Sequence, residues 1–288
     1  MAAVATKAMI VQLELTKMTM LKGAKMTLDD AYANSEYIPD AADYPPRWTD
    51  QAAAFRKSLG FRAQRGVSYG PSKRQVLDFF EPTGVSRGTV MFVHGGYWKA
   101  FDSSYWSHLA AGPLARGWAV AMPSYDLCPD VSISEIGTQI AAALKKVADR
   151  TQGPISLAGH SAGGHLVSRI MDPLLSPAEV RDRIKQIVSI SPVADLGPLL
   201  QTSMNDILQL DDAQALAESP INMSPPRGVD VTVWVGAEER PAFLEQAESF
   251  SRGWGARQHV VEGKHHFDVI DALSDPDSDM IATLLALK

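Results

Sequence analysis

Short apolar runs alternate along the chain with longer segments in which apolar residues recur every three to four positions. The short runs are typical of buried strands, and the longer segments have the spacing of amphipathic helices. The predicted strands are Gln75–Phe80, Thr89–His94, Ala119–Pro123, Ile155–Ala158, Ile187–Ser191, Val231–Gly236 and His259–Val261. The predicted helices are Ser134–Arg150, Ala162–Met171 and Ala242–Gly253. This alternation predicts an α/β fold in which helices cover both faces of a largely parallel sheet.

Two segments depart from this alternation. The region around residues 27–59 is mostly polar or helical, so we expect residues 1–60 to form an N-terminal arm that packs on the main domain and roofs its pocket. The main domain is then residues 61–288. Within it, residues 195–226 contain two short helical patterns, which indicate a small cap over the mouth of a site, with an ordinary surface excursion as the alternative.

Composition and charge exclude several classes of function. The chain has 288 residues, of which 45% are hydrophobic, enough for one large α/β domain with a sizeable core. The net charge of −6 is spread along the chain without a basic run, so nucleic acid is not an expected partner. No apolar run reaches the roughly 18 residues that a transmembrane helix needs, so no membrane span is expected.

The N-terminus and the cysteine content bear on localisation. The apolar run in residues 1–26 is interrupted by Lys7, Glu14 and Lys17, and no small-residue cleavage site follows, so the segment is not expected to be a secretory signal. Further methionines in it leave a later translation start open. Cys128 is the single cysteine, which excludes an intramolecular disulfide and suits a reducing compartment. We therefore expect a cytoplasmic protein and leave open whether it forms a homodimer.

A serine in a glycine turn is the first candidate for chemistry. Ser161 lies in Gly159-His160-Ser161-Ala162-Gly163, directly after an apolar run and before a helical pattern. The Gly-x-Ser-x-Gly pattern between a strand and a helix is typical of a nucleophile elbow, a strained turn that exposes the serine hydroxyl. The pattern alone arises by chance in about one chain in ten of this length. Its strand–turn–helix context makes Ser161 the candidate nucleophile.

A second glycine segment lies upstream of this turn. The strand predicted at Thr89–His94 leads into His94-Gly95-Gly96-Tyr97-Trp98, which matches the His-Gly-Gly type of oxyanion loop. Glycine there lets backbone N–H groups approach a bound carbonyl oxygen closely. We expect the donors to be the N–H groups of Gly96, Tyr97 and Ala162, with that of Gly95 as a close alternative. The histidine that begins the segment is expected to brace the loop.

A reactive serine needs a base, and the base needs a third group that fixes its tautomer. After an elbow of this type, the acid follows next in the chain and the histidine comes last. His265 and His266 lie in a loop after the last predicted strand, and His266 is favoured because Phe267-Asp268 begins a helix directly after it. His265 is the alternative. The chain has no His-Glu-x-x-His motif or second histidine cluster, so neither a metal nor another cofactor is expected.

The acid is expected just past the penultimate strand. The loop there, Gly236–Pro241, contains the adjacent residues Glu238 and Glu239, and Asp195 after the preceding strand is a third option. Glu239 is favoured over the other two, and Glu238 stays open on the residues alone.

Taken together, these motifs resemble a known family. His94–Trp98 and Gly159–His165 are similar to segments of the animal and yeast type of kynurenine formamidase and of the neighbouring hormone-sensitive-lipase-like esterases. The likeness extends over Tyr125–Pro129, Ser191–Pro198, Glu239–Phe243 and His266–Asp268, and thus over most of the chain from residue 75 onward. It implies an α/β-hydrolase fold, with residues 61–288 as the catalytic domain.

The resemblance also selects between the alternatives. In the family, the acid is followed two residues later by proline and two further on by an aromatic residue, as Glu239 is by Pro241 and Phe243. The family's His-Phe-Asp pattern likewise selects His266. The family carries Asp where this chain has Glu239, whose longer side chain still reaches an imidazole if its loop lies further back. The resemblance therefore supports the family's catalytic mechanism for this chain more strongly than it supports the family's substrate.

Aromatic residues near the glycine segment carry the substrate prediction. We expect Trp98 and Tyr125 to contact the substrate, in an aromatic wall together with Tyr97 and Phe101, the alternative being that they belong to the core. The expected activity is hydrolysis of a small ester or N-formyl amide through an acyl-enzyme. A carboxylesterase for short acyl chains is the main alternative, and a non-catalytic α/β-hydrolase that only binds its ligand is a distant one.

Overall fold

Eight strands form one sheet in residues 28–286, the part of the chain that the computed structural model describes. They are β1 (Ala63–Ser68), β2 (Val76–Phe80), β3 (Thr89–Val93), β4 (Ala119–Pro123), β5 (Ile155–His160), β6 (Ile184–Ile190), β7 (Asp230–Gly236) and β8 (Arg257–Val261). Their order across the sheet is β1-β2-β4-β3-β5-β6-β7-β8. β2 runs antiparallel to β1 and β4, and all other neighbours are parallel.

Helices connect most of the parallel strands. The α-helices are α1 (Leu28–Ala31), α2 (Tyr44–Leu59), α3 (Ala111–Ala115), α4 (Ile133–Arg150), α5 (Ala162–Arg169), α6 (Ala178–Arg181), α7 (Asn205–Leu208), α8 (Asp212–Glu218), α9 (Pro241–Trp254) and α10 (Asp279–Leu284). Short 3-10 helices lie at Asn34–Tyr37, Ala41–Asp43, Gly60–Arg62, Ser103–Tyr105, Ser107–Ala110, Gly197–Gln201, Pro220–Asn222 and Val269–Ser274. Local sequence signals set several helix ends: a capping box starts α4, and a left-handed glycine ends α9.

Apolar side chains form a core on each face of the sheet. Every residue of β3, β4 and β5 is buried, as expected of central strands covered on both sides. Successive side chains of a strand point to opposite faces, so Met91 and Val93 belong to one core and Val90 and Phe92 to the other. β8 lies at the edge and leaves its first two residues exposed.

The predicted elements are present with ends that differ by a few residues. β1 was missed because its sequence, Ala-Gln-Arg-Gly-Val-Ser, is largely polar and lacks a clear apolar alternation. It is an edge strand that leaves several residues exposed to solvent, and its place in the sheet comes from backbone pairing with β2. A search for apolar patterns therefore does not detect β1.

The arm and the insertion both pack on the main domain. In the arm, the ring of Trp48 on α2 packs against that of Trp106 at a tilt, with 4.7 Å between ring centroids. In the insertion, Glu218 at the end of α8 pairs with Arg169 of α5 at 2.9 Å. The division of the chain into these units stays a prediction, and residues 1–27, considered above as a signal or alternative start, lie outside the described residues. Within residues 28–286, no helix is both long enough and apolar enough to cross a bilayer.

Candidate active site

The parallel strands β3, β5, β6 and β7 are neighbours, and their carboxyl ends lie side by side at one end of the sheet. Val93 at the end of β3 pairs with Gly159, and His160 at the end of β5 pairs with Ile190. In sheets of this kind, ligands bind beyond the carboxyl ends of the strands. The candidate nucleophile, the glycine loop and the candidate acid each follow one of these strands, so the fold brings them to the same edge.

The turn between β5 and α5 is strained and closely packed. Ser161 has φ 56° and ψ −118°, a conformation that costs a non-glycine residue on the order of 1–3 kcal/mol. A Cβ added at Gly159 would lie 2.1 Å from the carbonyl oxygen of Gly163, and one added at Gly163 would lie 1.9 Å from that of Val93. Both glycines are therefore required by the close approach of α5 to the sheet, as the elbow pattern predicts.

A buried carboxylate holds the imidazole of His266. The Oε2 atom of Glu239 lies 2.7 Å from Nδ1 of His266. The other oxygen, Oε1, accepts a hydrogen bond from the N–H group of Gly236 at 2.9 Å and another from the hydroxyl of Ser191. The Glu239 side chain is fully buried. Because a carboxylate only accepts hydrogen bonds, Nδ1 of His266 is the nitrogen that donates to it, and Nε2 is the nitrogen that can exchange a proton with a substrate or with Ser161.

The ring of His266 is packed between two others. Its centroid lies 4.4 Å from that of Phe243 and 4.6 Å from that of His160. Nε2 of His160 lies 2.9 Å from the backbone carbonyl oxygen of His266, to which it donates. Burial lowers the pKa of His160 well below its ordinary value, so this ring is neutral. His160 thus fixes the backbone of His266, a contact that sequence reasoning missed although His160 is a residue of the elbow itself.

The alternatives considered for base and acid lie elsewhere. Nε2 of His265 is 2.9 Å from the hydroxyl of Tyr44 on α2, so this ring faces the arm. Glu238 is exposed. Asp195 accepts a hydrogen bond from the N–H group of Gly197 at 2.9 Å and closes a local turn. The geometry therefore singles out the pair Glu239 and His266.

The glycine loop after β3 lies directly against the elbow. A Cβ added at Gly95 would be 2.9 Å from the Cβ of Ser161, and Gly96 has φ 111°, which favours glycine. Tyr97 also adopts a positive φ, 48°. Ala162 begins α5 immediately after Ser161. These are the residues from which oxyanion donors were predicted, and their role as donors stays a prediction.

His94 braces this loop from inside the protein. Its ring stacks on that of Tyr125 with 4.4 Å between centroids, and the hydroxyl of Tyr125 donates to the carbonyl oxygen of His94 at 2.9 Å. Burial lowers the pKa of His94 to about 4, so the ring is neutral near pH 7. The arrangement is the bracing one that the sequence indicated.

The structure corrects the prediction that Trp98 and Tyr125 contact the substrate. Both side chains are fully buried in the hydrophobic core on one face of the sheet, and neither lines the cavity beside Ser161. Trp98 packs edge-on against His165 of α5, and Tyr125 lies under His94. The other two aromatic residues of the predicted wall, Tyr97 and Phe101, do line the cavity.

A cavity of about 720 Å³ opens beside Ser161 and His266. The glycine loop and its continuation form one side of it, and Ser203 and Met204 of the insertion contribute another part. Much of the remaining wall comes from the arm: Asp29, Tyr32, Ala33, Asn34, Ser35, Glu36, Ala41, Ala42, Pro45 and Trp48. The sequence predicted that the arm roofs the pocket, but it did not identify which arm residues line it. Among the residues described, no group of three or more His, Cys, Asp or Glu side chains is placed to hold a metal ion.

Comparison with known proteins gives the family. A family model described as alpha/beta hydrolase fold matches residues 90–251, more than half of the chain. The chain belongs to the α/β hydrolase family. Its predicted fold class is thereby confirmed, with the mostly parallel sheet and flanking helices that the resemblance implied.

Individual relatives of this α/β hydrolase are enzymes. The kynurenine formamidase of Drosophila melanogaster is 33% identical over 238 residues, which cover 74% of this chain and 78% of the relative. The crystal structure of a candidate thioesterase from Silicibacter sp. tm1040 is 55% identical, with a TM-score of 0.89 over 91% of this chain and 100% of that one. An esterase from Pyrobaculum calidifontis, 20% identical with a TM-score of 0.63 over 85% of this chain and 94% of its own, shares the fold. This α/β hydrolase is therefore a hydrolase of small substrates, related to the kynurenine formamidases.

Proposed function

We propose that the protein is a serine hydrolase that cleaves a small ester or N-formyl amide through an acyl-enzyme. Ser161 is the nucleophile, His266 the general base and acid, and Glu239 the group that orients the imidazole. The observation that carries the proposal is the 2.7 Å contact between Glu239 Oε2 and His266 Nδ1, in a cavity that both Ser161 and His266 line. A buried carboxylate paired with a histidine beside an elbow serine is the arrangement that activates a hydroxyl.

The reaction follows from these positions. Nε2 of His266 takes the proton of Ser161 as Oγ attacks the carbonyl carbon, and the resulting oxyanion accepts hydrogen bonds from the N–H groups of Gly96, Tyr97 and Ala162. His266 returns the proton to the leaving amine or alcohol, and an acyl-serine remains. Water then attacks the acyl group while His266 takes its proton, and the carboxylic acid leaves as the proton returns to Ser161. One oxyanion donor contributes roughly 100- to 1,000-fold to turnover in enzymes of this kind.

The cavity favours a substrate with an aromatic part. Its lining includes six aromatic side chains: Tyr32, Trp48, Tyr97, Phe101, Trp106 and Phe267. Flat apolar walls of this kind suit an aryl group, and the relationship to the kynurenine formamidases supports an aryl formamide as the substrate class. Two other acyl substrates are alternatives. One is a short-chain ester, the main alternative considered above, and the other is a thioester, the substrate class in the name of the protein that is 55% identical.

Labelling with a fluorophosphonate probe tests the catalytic assignment. The folded protein is expected to become labelled at Ser161, and Ser161→Ala is expected to abolish labelling. Ser203→Ala is the matched control, because Ser203 lines the same cavity without belonging to the elbow. Unlabelled Ser161 in folded wild-type protein would refute the enzyme assignment in favour of a protein that only binds its ligand.

A comparison of substrates tests the chemical class. We would measure kcat/KM for N-formylkynurenine, p-nitrophenyl acetate, p-nitrophenyl butyrate and an acetyl thioester with the same protein preparation. The formamide is expected to have the largest value relative to its uncatalysed hydrolysis. A much larger enhancement for the esters or the thioester would remove formamidase as the physiological activity while leaving the roles of Ser161 and His266 intact.

Compartment and assembly are also part of the proposal. The cytoplasmic location rests on the lone, buried Cys128, which fits a reducing compartment. A homodimer stays a prediction, and light scattering of the purified protein measures it directly.

A further inference from the structure

The side-chain amide of Asn34 is buried beside the cavity. Asn34 is 6% exposed, and within the described residues neither its Nδ2 nor its Oδ1 atom is hydrogen-bonded. Leaving a buried amide unpaired costs a protein free energy, and native structures contain few such groups without a reason. Asn34 also lines the cavity that holds Ser161 and His266. The position of this amide therefore indicates a partner that arrives with the substrate.

The backbone that carries Asn34 is tied to the reacting end of the cavity. The N–H group of Asn34 donates to the carbonyl oxygen of Tyr32 at 3.0 Å, and the hydroxyl of Tyr97 donates to the same oxygen at 2.7 Å. Tyr97 belongs to the glycine loop beside the elbow. Asp30, earlier on the arm, pairs with Arg240 at 2.8 Å, next to the acid Glu239 in sequence. These contacts hold the amide at a fixed place relative to the reacting groups, which is what a specificity-determining residue requires.

We propose that Asn34 determines specificity by hydrogen-bonding the part of the substrate that does not react, and that this part carries a group able both to donate and to accept. A carboxamide or a hydroxyl has this property. The Asn34 side chain offers one acceptor oxygen and two N–H donors, and such a group satisfies both kinds of atom at once. The inference rests on the proposed function, because it assigns a further contact in the same cavity. A substrate with an apolar group there leaves the amide unpaired and is discriminated against.

Matched substrates test the proposal. We would use phenyl acetates that carry a carboxamide at the ortho, meta or para position, together with their acetyl isosteres, in which a methyl group replaces the NH2 group. For at least one position, wild-type kcat/KM is expected to favour the carboxamide by about tenfold or more. In Asn34→Leu this ratio is expected to fall to about one, because leucine has a similar size and no polar atoms. An unchanged ratio in the variant, or no preference at any position in the wild type, overturns the proposal.

Two further measurements separate specificity from structure. Asn222→Leu makes the same chemical change at an exposed residue whose side chain donates to the Leu216 carbonyl, and it is expected to leave the ratio unchanged. Asn34→Leu is expected to keep or raise the melting temperature, since it removes an unpaired buried amide. A lower melting temperature together with an unchanged ratio assigns Asn34 a structural role.

Fluorophosphonate labelling of Ser161 distinguishes failure of this inference from failure of the proposed function. If Ser161 is labelled in both the wild type and Asn34→Leu while the ratio does not change, only the role of Asn34 is wrong. If the folded wild type is not labelled, the proposed function itself fails, and the role of Asn34 fails with it.

Discussion

The cavity has two walls that are built differently. The wall at the edge of the sheet consists of strand ends and the turns that follow them, with Glu239 hydrogen-bonded through both oxygens and with no room for a methyl group at Gly159 or Gly163. The arm wall, residues 29–48, packs against it through side-chain contacts such as the pair between Asp30 and Arg240. It also contains the Asn34 amide, which has no hydrogen-bond partner among residues 28–286, and short 3-10 turns in place of strands.

This difference matches two separate tasks: the wall at the sheet positions the reacting groups, and the arm wall contacts the rest of the substrate. Reacting groups must be held within about 0.5 Å of their working geometry, and a paired parallel sheet provides that rigidity. A segment that packs on this frame from outside tolerates change more easily, because few backbone hydrogen bonds depend on it. Substitutions in the first wall are therefore expected to abolish turnover or folding, whereas substitutions in the second alter which substrate is bound.

The largest expected effect is on the base. His266→Ala is expected to lower kcat on the order of 10⁴- to 10⁶-fold, because Ser161 then has no group that accepts its proton. His265→Ala, which loses the contact with Tyr44 on the arm, is expected to stay within about tenfold of wild type. Steady-state kinetics with any accepted ester measures both. A reversed order of the two variants would transfer the role of base to His265.

The acid is expected to come next. Glu239→Gln keeps the size of the side chain but removes its charge, so the imidazolium formed during attack loses its counter-charge and the ring its preferred tautomer. We expect kcat to fall on the order of 10²- to 10⁴-fold, measured by steady-state kinetics. Glu238→Gln makes the same change at the exposed neighbour and is expected to have no effect. Equal losses in the two variants would contradict the distinction that the structure draws between them.

A third prediction concerns the stability of the wall at the sheet, which depends on close packing at the elbow. Gly163→Ala places a Cβ 1.9 Å from the carbonyl oxygen of Val93, and we expect it to lower the free energy of unfolding by more than about 3 kcal/mol or to prevent folding. Gly137→Ala is the control. Gly137 lies within α4, and a Cβ added there would be 3.7 Å from the side chain of Leu175, an ordinary contact distance. This substitution is expected to stabilise by about 0.5–1 kcal/mol. Urea denaturation of both variants tests the contrast, and similar stabilities would show that the elbow relaxes readily.

The smallest effect is expected where the two walls meet. Arg240→Ala removes one partner of Asp30 and a cation above the ring of Tyr37. The pair is partly exposed, so we expect KM to rise about three- to tenfold while kcat stays within about twofold. A drop in kcat at constant KM would instead connect Arg240 to the chemistry, through its neighbour Glu239.

The residues of the first wall could be predicted because their signals are local. Ser161 and its two glycines lie within five consecutive positions between an apolar run and a helical pattern. His266 and Glu239 each follow a strand that its own apolar residues predict, and the chain order of an elbow enzyme assigns their roles. The residues after His266 favoured it over His265, and the family pattern selected it, whereas the contact of His265 with Tyr44 on the arm is visible only in the structure.

The features that the sequence did not predict depend on which way individual side chains point in the folded protein. Trp98 was placed at the substrate because it follows the glycine loop, but it has φ 55° and its ring is buried in the core. Nothing near Asn34 in the sequence indicates that its side chain is buried. Tyr32 and Trp48 of the same arm also line the cavity, and their positions follow from how the arm packs rather than from any motif.

The arm wall is one continuous stretch of chain that precedes β1, and it contains neither the nucleophile, the base nor the acid. It can therefore be exchanged as a single segment, with the crossover placed in α2 after Trp48, the last of its lining residues. Grafting arms from relatives onto this sheet would sample new substrate ranges in one recombination step. A lineage with this architecture can change its substrate by exchanging the gene segment that encodes the arm, while the residues that carry out the reaction stay the same.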